Sequence, residues 1–250
     1  MIPAATLGNP DAVRAAARYD RVFYGGMGVL LAAIAFAGFA PTFYLRSWFG
    51  APPTVSGATE LTTLATIHGA IFTSWMVLFI VQTSLIASRR VAIHRRLGVA
   101  GVVLAALMIV VGAMTSIAAA RRGGAPPGAD PLQFMVVPIV DLVLFATFVT
   151  AAVLRRRDKE THKRLMLLAY ISIIAAGVAR LPGVLPYGPL MFFGIAYALA
   201  LVGVAYDHWS RGRIHRVYYW GIPLLVMSVP ARLMLSTTGA WRSFAEFVTR

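Results

Sequence analysis

Four ionisable side chains stand inside apolar runs of this chain: His68, Asp141, Arg180 and Arg232. At a rise of about 1.5 Å per residue, His68, Arg180 and Arg232 fall about 9 to 10 Å from the middle of their runs, and Asp141 about 3 Å. All four displacements point to the same side, so one layer holds them. In hydrocarbon a charged group costs roughly 2.5–3.5 kcal/mol at a helix centre, which drives such groups to face inward and pair. Asp141 with Arg180 or Arg232 is the expected pair. In a pocket built from these groups the arginines would hold acidic groups, with His68 as a ligand or proton donor.

The neighbours of these residues point to a flat ligand. His68, Phe72, Trp75, Phe79 and Gln82 recur at helical spacing and form one stripe; Phe134, Asp141, Phe145 and Phe148 share a face in the same way. Aromatic rings around a few polar groups suit a quinone or a haem, although ordinary core packing produces the same spacing. A second layer contains His94, His162, His208 and His215, each beside Lys or Arg. Imidazoles ligate zinc, copper and haem iron. His94, His162 and His215 open alternate runs at similar depth and are the metal-ligand candidates, with Asp158, Glu160 and Asp207 as loosely placed outer partners. The competing use of these turns is to grip lipid phosphates.

The elements that must position these groups are seven apolar runs, at 23–45, 61–87, 97–119, 132–154, 165–181, 187–207 and 217–235. Hydrophobic residues make up 59% of the 250 and charged ones 13%, with a mean hydropathy of +0.75. Ordinary soluble domains are about 25% charged, so the fold class is an all-α, polytopic transmembrane bundle. No segment outside the runs is long enough for a separate core. Residues 1–22 form a basic amphipathic segment, 23–235 the transmembrane domain and 236–250 a short tail. Asn9 or Asp11 is placed to cap a helix carrying Arg14, Arg18 and Arg21 on one face.

The net charge of +14 does not indicate nucleic acid, because the cations sit in short turns beside the runs. Sixteen of the 23 Lys and Arg lie in the N-terminal segment and the connectors at 88–96, 155–164 and 208–216. The other connectors, 46–60, 120–131 and 182–186, are rich in Pro and Gly. This bias places the N-terminus inside and the C-terminus outside a bacterial inner membrane, with lipids as the main partner and a membrane-protein partner or second copy possible. There is no cysteine, hence no disulfide or thiolate site. Phosphate-loop, serine-elbow and zincin motifs are missing as well. Pro138, Pro223 and Pro230 should kink their spans, and Gly25, Gly26 and Gly28 would permit close helix contact.

The stretch HGAIFTSWMVLFIVQTSLIASRRVAIHRRLGVAG, with THKRLMLLA and RGRIHRVYYWG, resembles a family of uncharacterised bacterial multi-pass membrane proteins. Its HRRLG and HKRLM turns are the most specific part. More distantly, the second and third runs look like the ascorbate-reducible cytochrome b family, with His68, Gln82, His94 and Gly98 at the matching positions. That resemblance implies two haem b groups, each held by two histidines. The chain departs from it in having a single histidine, His68, in one of the two layers. The leading expectation is therefore a redox-associated membrane protein binding haem b or a quinone. Its rivals are a proton-coupled transporter of a small anion or weak acid, with Asp141 as proton carrier, and a non-catalytic subunit or assembly factor.

Overall fold

Side chains that can accept a hydrogen bond stand where most of the helices begin. Thr62 accepts from Ala65 N, Asp130 from Gln133 N, Asp158 from Glu160 N and Thr161 N, His215 Nδ1 from Val217 N and Thr238 from Trp241 N. Each satisfies a donor that the first helical turn leaves open. The computed structural model describes residues 10–250, with side chains from Arg18 onward. In order these are α1 (Pro10–Phe39), α2 (Thr63–Ala87), α3 (Val91–Arg121), α4 (Pro131–Phe134), α5 (Val136–Leu154), α6 (Lys159–Val178), α7 (Gly188–Arg211), α8 (Arg216–Ser236) and α9 (Gly239–Val248). A π-helical turn, Ala40–Tyr44, extends α1, and a 3₁₀ turn, Leu185–Tyr187, precedes α7. No strand occurs among the described residues.

Seven helical stretches are long and apolar enough to cross a membrane, in the places the apolar runs predict. The chain is an all-α bundle of the multi-pass membrane type. Boundaries move, however. The connector expected at 88–96 shrinks to Ser88–Arg90, so His94, Arg95 and Arg96 lie on the first turns of α3. α6 starts at Lys159, six residues before the expected span. The expected tail 236–250 contains a helix, α9. The cap at Asn9 or Asp11 and the side chain of Arg14 lie outside the described residues.

α6 is the hub: 72% of its most apolar window is buried, against 11% for α2. It packs against α1, α5, α7 and α8, while α2 and α3 pack on the flank formed by α1 and α5. Exposed Val99, Val103 and Val110 on α3 and Leu201 and Val202 on α7 are the apolar skin such a bundle presents to lipid. Close helix contact falls only partly where expected. A Cβ on Gly25 or Gly26 would meet nothing and one on Gly28 would press on the Phe79 ring of α2 at 3.0 Å, whereas one on Gly38 of α1 would stand 2.1 Å from the carbonyl oxygen of Gly177 on α6. Only hydrogen fits there.

The prolines act unequally. Pro138 cannot donate to the carbonyl of Phe134, and the helix interrupts at Met135 between α4 and α5. Pro223 and Pro230 lie within an uninterrupted α8.

Candidate functional site

Side-chain contacts gather the loops into two ends. Asp20 of α1 meets Lys163 of α6 and Arg211 of α7, which defines a basic end with the 88–90, 155–158 and 212–215 connectors. Opposite lies a proline-rich end, where residues from the 38–42, 52–55 and 179–186 stretches and Pro127 surround one cavity.

Between the ends, Asp141 of α5 and Arg232 of α8 form the expected pair. Arg232 Nη1 donates to Asp141 Oδ1 at 2.8 Å. Its other donors are taken too: Nε goes to the Ser228 carbonyl at 3.1 Å, and Nη2 to Ser228 Oγ at 2.9 Å and the Tyr197 hydroxyl at 3.4 Å. The Phe193 ring lies 4.0 Å from the guanidinium carbon. Arg232 is fully buried and Asp141 nearly so. The group is closed, and it ties α5, α7 and α8 together.

Arg180 is not part of it. This residue follows α6, packs its guanidinium 4.4 Å from the centre of the Phe39 ring, and donates only to the Ala176 carbonyl at 2.6 Å. No carboxylate among the described residues lies within 4 Å of it. Among the described residues it is the one charged residue lining a cavity of about 380 Å³, whose walls include Gly38, Pro41, Thr42, Pro53 and Pro186. Arg46 fixes one wall by donating to the carbonyls of Pro52, Ala51 and Thr59.

The α2 stripe turns inward as its spacing requires. Trp75 and Phe79 are buried, Trp75 meets Phe145 edge-on at 5.0 Å and Phe79 meets Tyr170 at 5.0 Å. His68 stacks on Phe72 at 4.1 Å. The Nδ1 of His68 and the Nε1 of Trp75 are buried without a hydrogen-bond partner. His68 lies outside the cavity lining. The four-residue layer therefore divides: Asp141 pairs with Arg232, while His68 stacks on Phe72 and Arg180 lies on Phe39.

No protein family, curated protein or solved structure matches the chain.

At the basic end lies a cluster that the sequence reading misses. Arg164, fully buried, donates Nε to Asp207 at 2.7 Å and Nη2 to the other carboxylate oxygen, while Nη1 reaches Glu160 at 2.8 Å. Asp20 accepts from Lys163, Arg211 and the Tyr206 hydroxyl, each at 2.7 Å. Lys163 also meets Glu160 at 2.6 Å. Three carboxylates and three cations thus cancel. A legible signal existed: Glu160–Arg164 and Asp207–Arg211 are both at i, i+4. Of the acids foreseen as partners for metal-bound histidines, Glu160 and Asp207 hold cations and Asp158 caps α6, while the main-chain N–H of His215 donates to Asp207 at 3.2 Å.

No group of three His, Asp or Glu side chains with metal-holding geometry occurs among the described residues, so His94, His162 and His215 do not converge as one site. His215 Nδ1 caps α8, and burial holds this imidazole below its ordinary pKa. Beside it, the Thr161 hydroxyl holds the Asp158 carboxyl below the usual carboxylate range. His162 Nδ1 bonds the Ala152 carbonyl at 2.8 Å, leaving Nε2 free. With its amide oriented to suit its neighbours, Gln82 donates to His94 Nδ1 at 2.6 Å and accepts from Gly98 N at 3.1 Å. That fixes the His94 proton on Nε2, the nitrogen a haem iron would need. The layer of His68 holds no second histidine for a bis-histidine haem, and in the other layer Gln82 occupies His94 Nδ1. Gln82 instead fastens the start of α3 to the end of α2.

Proposed function

We propose that the protein is a bacterial inner-membrane carrier for a small organic acid, which docks its carboxylate on Arg180 in the cavity at the proline-rich end. A guanidinium with no carboxylate within 4 Å among the described residues, packed on Phe39 and facing a mostly apolar cavity, carries this reading. An anion would complete its charge, and Arg is suited to bidentate carboxylate recognition. The volume lies within the range of small-ligand sites, about 300–1,000 Å³. Asp141 is less suited to the proton-carrier role expected of it, because Arg232 already occupies it. The test is uptake of labelled mono- and dicarboxylates into proteoliposomes. Arg180→Gln should abolish any saturable flux and Arg180→Lys should retain part of it; equal flux in the wild type and Arg180→Gln would refute the proposal.

A second reading, quinone binding, is favoured by the unpartnered Nδ1 of His68 and Nε1 of Trp75 on one aromatic stripe. A quinone carbonyl would accept from such donors. Quenching of Trp fluorescence by a short-chain ubiquinone, lost in His68→Leu and kept in Arg180→Gln, would select this reading over the first.

A further inference from the structure

We propose that α9 is a second membrane contact, lying along the leaflet at the proline-rich end with Phe244 and Phe247 set among the lipids. The helix follows α8 after the Thr237–Thr238 turn, so it starts where the last span leaves the bilayer. Its bundle-facing side is nailed down. Trp241 and Ala245 are buried against Met135, Val136 and Ala120, and Trp241 Nε1 donates to the Leu132 carbonyl at 2.8 Å.

The rest of α9 is two-sided. Phe244 is 47% exposed and Phe247 70%, one turn apart on the same flank. Arg242 and Glu246 pair at 3.0 Å with exposed side chains on the other flank, next to Ser243. At about 100° per residue, Arg242, Ser243 and Glu246 fall within one arc and the two phenylalanines within another. A free aromatic flank beside a neutral polar one fits a helix lying in an interface. The occupant is lipid rather than a protein because the flank continues an apolar skin: Leu233, Met234 and Leu235, at the end of α8, are themselves exposed.

The chain has no cysteine, so single-cysteine variants report without background. Arg242→Cys, Ser243→Cys, Phe244→Cys and Phe247→Cys, each carrying an environment-sensitive fluorophore, would be placed in phosphatidylcholine liposomes as full-length protein. Labels at 244 and 247 should be blue-shifted and quenched at least about two-fold more by a lipid-borne quencher than those at 242 and 243. Quenching by aqueous iodide that is equal at all four positions would overturn the proposal. So would shielding of position 247 that grows with the protein-to-lipid ratio, since a second copy would then cover the flank.

Discussion

At the basic end, Arg164 divides its guanidinium between Asp207 and Glu160 and leaves no donor facing outward; at the proline-rich end, Arg180 meets one backbone carbonyl and an aromatic ring. Both arginines belong to the same region of chain, one at the start of α6 and one just past its end. The difference between them separates architecture from binding. A cation enclosed by acids fixes helices in place and has nothing left for a ligand. A cation with no acid, beside a cavity, retains its charge for one.

The strongest way to break this comparison is at its closed side. Arg164→Ala strands Asp207 in the interior, and removal of one partner of a buried pair typically costs 3–5 kcal/mol, so the detergent-solubilised protein should melt far lower or fail to accumulate. Unchanged melting would mean the cluster is not structural. Arg232→Ala should follow closely by the same mechanism, at about 3 kcal/mol. The paired replacement Asp141→Leu with Arg232→Met should recover much of that loss, because it removes both charges together; no recovery would point to a role beyond holding helices.

Gly38→Ala comes next. Its Cβ would overlap the Gly177 carbonyl, forcing α1 and α6 apart at a cost of about 1–3 kcal/mol, measurable by thermal melting. Asp158→Ala removes the cap of α6 and should cost about 1 kcal/mol. The Asp158 carboxyl has its pKa lowered in the folded protein by the Thr161 hydroxyl. Its stabilisation is therefore present above the usual carboxylate pKa and disappears as pH falls through the lowered value. The gap in melting temperature between wild type and variant should close in that acid window. The smallest change in stability is expected at Arg180→Gln, within about 0.5 kcal/mol, together with complete loss of organic-acid flux. A large fall in melting temperature there would erase the contrast between the two arginines.

Sequence revealed these features unevenly, for physical reasons. Seven spans are legible because crossing a bilayer demands about 20 apolar residues each, and hydropathy adds along the chain. Asp141 with Arg232 was within reach because a charge in hydrocarbon has very few places to go. Choosing between Arg232 and Arg180 was not possible: α6 ends at Val178, and beyond a helix end helical phase no longer predicts where a side chain points. The basic-end cluster was hidden by boundaries. Hydropathy starts a span at 165, which leaves Glu160 and Arg164 together in a connector with no helical phase, and ends another at 207, which cuts Asp207 from Arg211, whereas capping carries α6 back to Lys159 and α7 runs on to Arg211. α9 escaped because ten residues with one aromatic flank carry no span-length signal.

The π-turn at Ala40–Tyr44 has a consequence for how the two halves of the proline-rich end communicate. Pro41 and Thr42, in the middle of the turn, form part of the cavity wall, and the Tyr44 hydroxyl at its close bonds Thr73 on α2 at 2.7 Å. Rewinding this turn to ordinary α geometry removes one residue's worth of slack and rotates everything after it by about 100°. A wall that swings away from Arg180 in this way would pull on the Tyr44–Thr73 bond to the helix carrying His68.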